Sequence, residues 1–108
     1  MSVYVIPFQI QTYVPITRES IVCAAHEKWT VDSSKASALV NLLREGPAAQ
    51  FDDKLVRVTI VGSGEPIFLD ANGVVVGLGQ ARSIDRESFT RALASVGTKS
   101  AVEAKGCK

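Results

Sequence analysis

Apolar and polar side chains alternate along residues 3–14. The even positions carry Tyr4, Ile6, Phe8, Ile10, Thr12 and Val14. A period of two predicts a half-buried strand in which these side chains share one face. Pro7 interrupts the pattern and cannot donate a backbone hydrogen bond to a neighbouring strand. We therefore expect an edge position or a bulge at Pro7.

Two six-residue stretches, 16–21 and 84–89, repeat almost letter for letter. Each places a residue that can cap a helix, Thr17 or Asp85, between two apolar residues five positions apart. This spacing is typical of an N-cap with a hydrophobic staple. It predicts one helix over about 18–28 and another that ends at Gly97. The first segment is short, so a strand there remains an alternative.

A third helix is predicted by an apolar stripe at helical spacing, formed by Ala36, Leu39, Val40 and Leu43. Asp32, followed by two serines, is the expected cap. Gly46 and Pro47 are expected to end this helix, with the glycine at the position that favours a left-handed backbone.

Three apolar runs follow, at 55–61, 67–69 and 74–76, and the first is rich in β-branched residues. The sequence Asp-Ala-Asn-Gly at 70–73 separates the last two runs and is a strong hairpin signal. The element order is then β-α-α-β-β-β-α. It predicts an α+β fold with a small antiparallel sheet of about four strands and two to three helices packed on one face.

Length and composition agree with one globular domain. The chain has 108 residues, 46% hydrophobic and 21% charged, which predicts a single domain over 1–97 and a polar, disordered tail over 98–108. The net charge of +1 and the scattered basic residues argue against a nucleic-acid partner. No apolar run is long enough for a membrane span.

The N-terminus lacks the pattern of a signal peptide, and Cys23 and Cys107 lie in unlike surroundings, as two separate thiols would. These features predict a reduced, cytoplasmic protein.

Candidate chemical sites are few. Cys23 and His26, the only histidine, are helical neighbours if 18–28 is a helix, but no third group orients them. The Gly-Ser-Gly at 62–64 lacks the last glycine of a dinucleotide loop. The 70–73 turn lacks the first acidic ligand of a calcium loop. The sequence therefore predicts no catalytic, cofactor-binding or metal-binding residues, and a non-enzymatic protein.

The densest acidic neighbourhood contains Asp52 and Asp53, with Glu65 downstream. Phe51 precedes the pair, and an aromatic beside loop acids can anchor a protein partner. Tyr13 lies on the polar side of the predicted first strand, among glutamines. We therefore select Tyr13, Phe51, Asp52, Asp53 and Glu65 as candidate partner-binding residues.

The predicted hairpin at 67–76, followed by the capped helix that begins at 84–93, resembles the C-terminal part of small bacterial immunity proteins. Those proteins protect a cell against toxins of contact-dependent inhibition or type VI secretion. The resemblance implies a cytoplasmic protein that neutralises a cognate toxin by stoichiometric complex formation, with no cofactor.

Two other functions stay open. One is a small-ligand-binding or catalytic domain with a pocket near His26, where Arg57 is a further candidate. The other is a structural or adaptor homodimer joined through the strand that carries Pro7 and Tyr13.

Overall fold

A seven-stranded antiparallel sheet forms the centre of the protein. The computed structural model describes residues 1–10, 15–62 and 64–100. The spatial order of the strands is β6-β5-β4-β3-β1-β2-β7. In chain order, the elements are β1 (Ser2–Val5), α1 (Ile21–Ala24), β2 (Glu27–Val31), α2 (Ser33–Leu43), β3 (Val56–Val61), β4 (Ile67–Asp70), β5 (Val74–Val76), β6 (Arg82–Ser83), α3 (Arg86–Val96) and β7 (Gly97–Ser100).

The predicted α+β class and antiparallel sheet are confirmed, but the sheet has seven strands, and about four is wrong. The predicted meander is present as β3, β4 and β5, with β1 against β3. β2, β6 and β7 were not predicted. The observed order is β-α-β-α-β-β-β-β-α-β.

The main core lies between the sheet and two helices. α2 contributes Leu39 and Leu43, and α3 contributes Phe89 and Leu93. The sheet side is formed by inward-facing residues of the central strands: Val3, Val5, Val31, Val58, Ile60, Ile67, Leu69 and Val75. The predicted stripe on α2 and the predicted staple of α3 therefore do face the sheet.

A second, smaller core lies on the opposite face of the sheet. Phe68 follows Ile67 and precedes Leu69 in β4, so its side chain points away from the main core. It packs in a cluster with Ile6, Ile16, Ile21 and Val56. Ile21 belongs to α1. The expectation that all helices pack on one face is therefore wrong, because only α2 and α3 share a face.

The N-terminal prediction fails in two respects. Val3 and Val5, rather than Tyr4, face the main core, and Ile6 belongs to the opposite face. β1 ends at Val5 and pairs with β2 and β3, so it is an interior strand. Pro7 lies two residues after the end of β1 and therefore removes no hydrogen bond from the ladder. The predicted strand residues 11–14 lie outside the described residues.

The predicted helix over 18–28 is reduced to the single turn of α1, and part of the segment is in β2. Thr17 supplies a backbone turn: its carbonyl accepts from the amides of Ser20 and Ile21 at 3.2 and 3.0 Å. The alternative of a strand holds only for Glu27 and Lys28, the first two residues of β2. Val22, which follows Ile21 in α1, is 39% exposed.

The second staple is built as predicted. The Asp85 carboxylate accepts from the amide and the hydroxyl of Ser88 at 3.1 and 2.7 Å, and caps α3. Ile84 and Phe89 both lie in the main core. The hydrogen bonds from the side chain and backbone of Ser88 hold the pKa of Asp85 below its ordinary value.

Residues 98–100 were expected to belong to a disordered tail, but they form β7 with Gly97. β7 pairs with β2 through Thr98 opposite Thr30 and Ser100 opposite Lys28. Backbone bonds stabilise an edge strand even when its side chains are polar, which is why the apolar pattern gave no signal here. Residues 101–108 lie outside the described residues.

Gly46 is not the left-handed cap that was expected. α2 ends with Arg44 as its C-cap, and the glycines with positive φ are Gly73, Gly77 and Gly79. Gly46 instead packs so closely on β6 that an added Cβ would overlap the carbonyl oxygen of Ser83. The Arg82 guanidinium also donates to the carbonyl of Gly46 at 2.9 Å.

We expect Gly46→Ala to lower the free energy of unfolding by about 1–3 kcal/mol, since the new methyl group must displace backbone. Urea unfolding monitored by Trp29 fluorescence measures this. Gly62→Ala is the matched control, because its Cβ would meet nothing within 4 Å. Equal stabilities of the two variants would contradict the close approach at Gly46.

The Asp85 cap predicts a pH dependence. A carboxyl group whose folded pKa is lowered stabilises the protein fully above the pKa of the unfolded chain, and this contribution is lost as the pH falls through the folded value. Asp85→Ala should therefore be less stable than the wild type at pH 7, and the difference should shrink below about pH 4.

Asp85→Asn is the control for this titration, since its amide keeps an acceptor oxygen for the cap but does not ionise. It should unfold with less pH dependence than the wild type. A constant difference between wild type and Asp85→Ala from pH 7 to pH 2 would show that ionisation of Asp85 does not contribute.

Candidate functional site

An apolar cavity of about 320 Å³ opens between α3 and the ends of β1, β2 and β7. Its apolar lining includes Val5, Phe8, Trp29, Phe89, Leu93 and Ala94. We call it the inner cavity. The rings of Phe8 and Phe89 meet edge to face, with centroids 6.2 Å apart and planes at 81°. This T-shaped contact is the preferred aromatic geometry and holds the segment after β1 against α3.

Polar groups stand at the rim of the inner cavity. The indole Nε1 of Trp29 donates to Glu27 Oε1 at 3.1 Å. The ammonium of Lys99 lies 3.6 Å from Glu27 Oε2. One carboxylate therefore orients the tryptophan and holds the lysine. The Glu27 side chain is 25% exposed and that of Lys99 is 56% exposed, so the lysine still faces solvent.

A wider, open groove of about 630 Å³ continues from the inner cavity along the first turns of α3. We call it the outer groove. Phe8, Gln9 and Thr90 line both spaces. Arg86 lies over the Phe8 ring with its guanidinium carbon 5.9 Å from the centroid, and Arg91 pairs with Glu87 at 3.3 Å. Together, the inner cavity and the outer groove have aromatic side chains at their centre and both acidic and basic side chains at their rim.

The predicted acidic site is divided by the structure. Phe51, Asp52 and Asp53 line one shallow depression, together with Gln50, Lys54 and Asn72. These residues precede β3, whereas Glu65 follows it in an exposed loop. The length of β3 separates them by about 17 Å. Glu65 therefore does not join the other acids, and Tyr13 lies outside the described residues.

The acids before β3 are already engaged within the protein. Asp53 Oδ1 accepts from Arg18 Nε at 2.9 Å. The Arg18 guanidinium carbon lies 5.2 Å from the Phe51 ring centroid and 5.5 Å from that of Phe68. Asp52 Oδ1 accepts from the amide of Lys54 at 2.9 Å. The Arg18 guanidinium therefore lies close to both aromatic rings and pairs with the negative charge of Asp53.

Asp70 explains the position of this loop. It is fully buried, and its Oδ2 accepts from the amide of Asp52 at 2.9 Å. Its Oδ1 accepts from the amides of Asn72 and Val74 at 2.9 and 3.0 Å. The hairpin signal at 70–73 is thus confirmed, and the aspartate at its start also ties the turn to the loop before β3. The sequence analysis did not identify this role.

Cys23 and His26 do not form a site. His26 is exposed and follows α1, and its amide donates to the Val5 carbonyl at 2.9 Å. Cys23 is disulfide-bonded, so the expectation that it is a separate thiol is wrong. Cys107 lies outside the described residues. No group of three or more potential metal ligands occurs within residues 1–10, 15–62 and 64–100.

Arg57 is buried although it carries a charge. It is 3% exposed and is the extra residue of a bulge, because Val56 pairs with Asp70 and Val58 with Leu69. Its Nη1 donates to the carbonyl of Val56 at 3.0 Å. Its Nε has no hydrogen-bond partner in the part of the chain that the structure describes. It lines neither the inner cavity nor the outer groove.

The inner cavity was not predicted from the sequence, because its walls come from four separate segments of the chain. Phe8, Trp29 and Phe89 are visible as aromatics, and the staple placed Phe89 on the inner face of its helix. Trp29 is partly buried against the main cluster. Only the pairing of β7 with β2 brings Lys99 to the same place, and no sequence signal predicted that pairing.

Comparisons with protein-family models, curated proteins and solved structures found no match to the chain. None of the helices in the described ranges is long and apolar enough to cross a membrane.

We expect Arg57→Met to raise the free energy of unfolding by about 1–3 kcal/mol, because a buried donor that lacks a partner is replaced by an apolar side chain of similar length. Urea unfolding at neutral pH measures the change. Arg57→Ala also removes the charge but leaves a cavity, so it should be less stable than Arg57→Met. A methionine variant less stable than the wild type would show that the guanidinium stabilises the fold.

Proposed function

We propose that the chain is a non-enzymatic protein-binding module, an immunity protein that neutralises a cognate bacterial toxin by forming a stoichiometric complex. The observation that carries this proposal is the inner cavity with its aromatic lining and charged rim. Protein interfaces concentrate binding energy in aromatic and arginine side chains surrounded by polar groups. Phe8, Trp29 and Lys99 line the inner cavity, and Arg86 lines the adjoining outer groove.

The rim charges favour a polypeptide partner. Acids and bases form pairs along both spaces: Glu27 with Lys99 at the inner cavity, and Glu87 with Arg91 at the outer groove. A rim of mixed sign selects a partner of complementary pattern and disfavours like-charged contacts. The resemblance of 67–76 and 84–93 to immunity proteins adds the class of partner.

The cluster of Phe51, Asp52, Asp53 and Arg18 is a second contact region in this proposal. Asp53 pairs with Arg18 and Asp52 accepts the amide of Lys54, so we take the Phe51 ring with the Arg18 guanidinium as the anchor there. Glu65 lies at the far end of β3, so we assign it no part in the same contact.

A cytoplasmic location belongs to the proposal as well, since an immunity protein acts inside the cell that it protects. The disulfide at Cys23 counts against it, because disulfides are rare in reducing compartments. Alkylation of the thiols in freshly lysed cells, followed by mass spectrometry, decides whether Cys23 is reduced there.

A small-molecule ligand is the second candidate function. The volume of about 320 Å³ lies at the lower end of the range for ligand pockets. The predicted pocket near His26 is not where this cavity lies, since His26 does not line it. A metabolite that binds in the cavity should raise the melting temperature, and the rise should continue with the logarithm of the ligand concentration above its Kd.

The proposal is tested with the products of the neighbouring reading frames, each co-expressed with the chain and purified through it. We expect one of them to form a one-to-one complex with a Kd in the nanomolar range by calorimetry. Ala94→Arg places a long charged side chain at the cavity, and we expect it to weaken this complex at least tenfold.

Ser95→Arg is the matched control, because it adds the same charge to the next, exposed position of α3, outside the cavity lining. It should bind as the wild type does. Equal loss in both variants would indicate a general charge effect, and no loss in either would move the contact away from the cavity. A metabolite-dependent melting shift without any protein partner would favour the second candidate.

A further inference from the structure

The register of the sheet determines which backbone groups of β7 point toward β2 and which point to the outer edge. The amide of Val31 donates to Met1 and its carbonyl accepts from Met1, so both groups of Val31 point toward β1. Alternate residues of a strand point to opposite sides. Those of Thr30 and Lys28 therefore point toward β7, where they meet Thr98 and Ser100.

It follows that the amide and carbonyl of Lys99 point away from β2, at the outer edge of the sheet. β7 is the terminal strand in the sheet order, and Lys99 is exposed. The amide of the other outward residue, Gly97, is used by the carbonyl of Leu93 at the end of α3. Among the described residues of β7, Lys99 is thus the one whose backbone amide and carbonyl are both available at the outer edge.

The Lys99 side chain lies on the same face as Trp29, its cross-strand neighbour, and lines the inner cavity. Its ammonium has three donors and, among residues 1–10, 15–62 and 64–100, pairs with Glu27 at 3.6 Å. A residue placed opposite Lys99 on an added strand would point to this face, and opposite charges at such a position attract.

We propose that the partner binds by adding an extended strand to the edge of β7, with an acidic side chain opposite Lys99. This inference rests on the proposed function as a protein-binding module, and it specifies the partner segment as extended and acidic. Strand addition takes its affinity from backbone hydrogen bonds and its specificity from alternate side chains. Here the backbone bonds come from Lys99 and the specificity comes from its ammonium.

A second copy of the chain fits this edge less well. A symmetric antiparallel pair centred on Lys99 places two lysines opposite each other, which is destabilising. A pair centred on Thr98 places Lys99 opposite Gly97 of the other copy, whose amide is already bonded to Leu93. The edge therefore favours a different, acidic strand.

The test uses the full chain, labelled with ¹⁵N, and a capped peptide of about seven residues that alternates valine and threonine around one central glutamate. We expect the peptide to shift the Lys99 amide resonance and to slow its hydrogen exchange at least tenfold at saturation. The Thr98 amide, which faces β2, should be protected before and after addition. A matched peptide with a central lysine should bind about two- to fivefold more weakly.

Two variants separate the backbone from the charge. Lys99→Pro removes the outward amide and leaves the inward bonds of Thr98 and Ser100 intact, so it should abolish peptide binding; a Trp29 spectrum like that of the wild type verifies its fold. Lys99→Ala keeps the amide, so it should bind both peptides equally.

The proposal is overturned if neither peptide affects the Lys99 amide, or if Lys99→Pro binds like the wild type. Protection of Lys99 that rises with protein concentration without peptide would assign the edge to a second copy. A neighbour-encoded partner that leaves the Lys99 amide exchanging freely would support the proposed function and reject the strand addition. Peptide protection without any such partner would do the reverse.

Discussion

The central strand β3 is buried on both of its faces, and the rest of the architecture follows from covering it. Five of its six residues are buried. Val58 and Ile60 require α2 and α3 on one side, while Val56 requires α1 and the segment around Ile16 on the other. A strand with apolar side chains on both faces needs a packed layer on each, because apolar surface exposed to water costs free energy.

The cover becomes thinner toward β2 and β7. Thr30, Thr98 and Ser100 are exposed on the face opposite the helices. On the helix face, α3 packs against β2 and β7. The inner cavity lies where α3 extends past the well-packed centre. Incomplete packing at the margin of a sheet is a common origin of a binding space, and here it coincides with the free strand edge.

Charged residues illustrate what a sequence can and cannot indicate. Asp52 and Asp53 were selected as partner-binding residues, Asp85 as a helix cap and Asp70 as part of a hairpin turn. The structure uses Asp70 and Asp85 to hold backbone amides and pairs Asp53 with Arg18. Local spacing indicated the cap at Asp85, but no local pattern indicated that Asp70 would bind the loop before β3 or that Asp53 would pair with Arg18. The structure keeps Phe51, Asp52 and Asp53 together and separates Glu65 from them. The residues of the inner cavity were not foreseen.

The elements that were predicted correctly are those whose signals are local. The cap at Asp85, the stripe on α2 and the β-branched run of β3 each carry their own evidence within a few residues. β2 and β7 were missed because their pairing depends on segments far away in the sequence. α1 was overpredicted for a related reason: helical spacing over so short a segment fits a strand equally well.

The order of strands in the sheet also determines when folding can be completed. β1 is an interior strand between β3 and β2, and β2 in turn pairs with β7. In that last pairing, Ser100 contacts Lys28, which lies 72 positions earlier in the chain. Contacts between such distant segments slow folding, because a long loop must close before any bond is gained. A ribosome must therefore release nearly the whole described chain before the sheet closes. Until then, the edge of β2 is open to other strands, and the nascent protein passes through a stage in which aggregation competes with its own last strand.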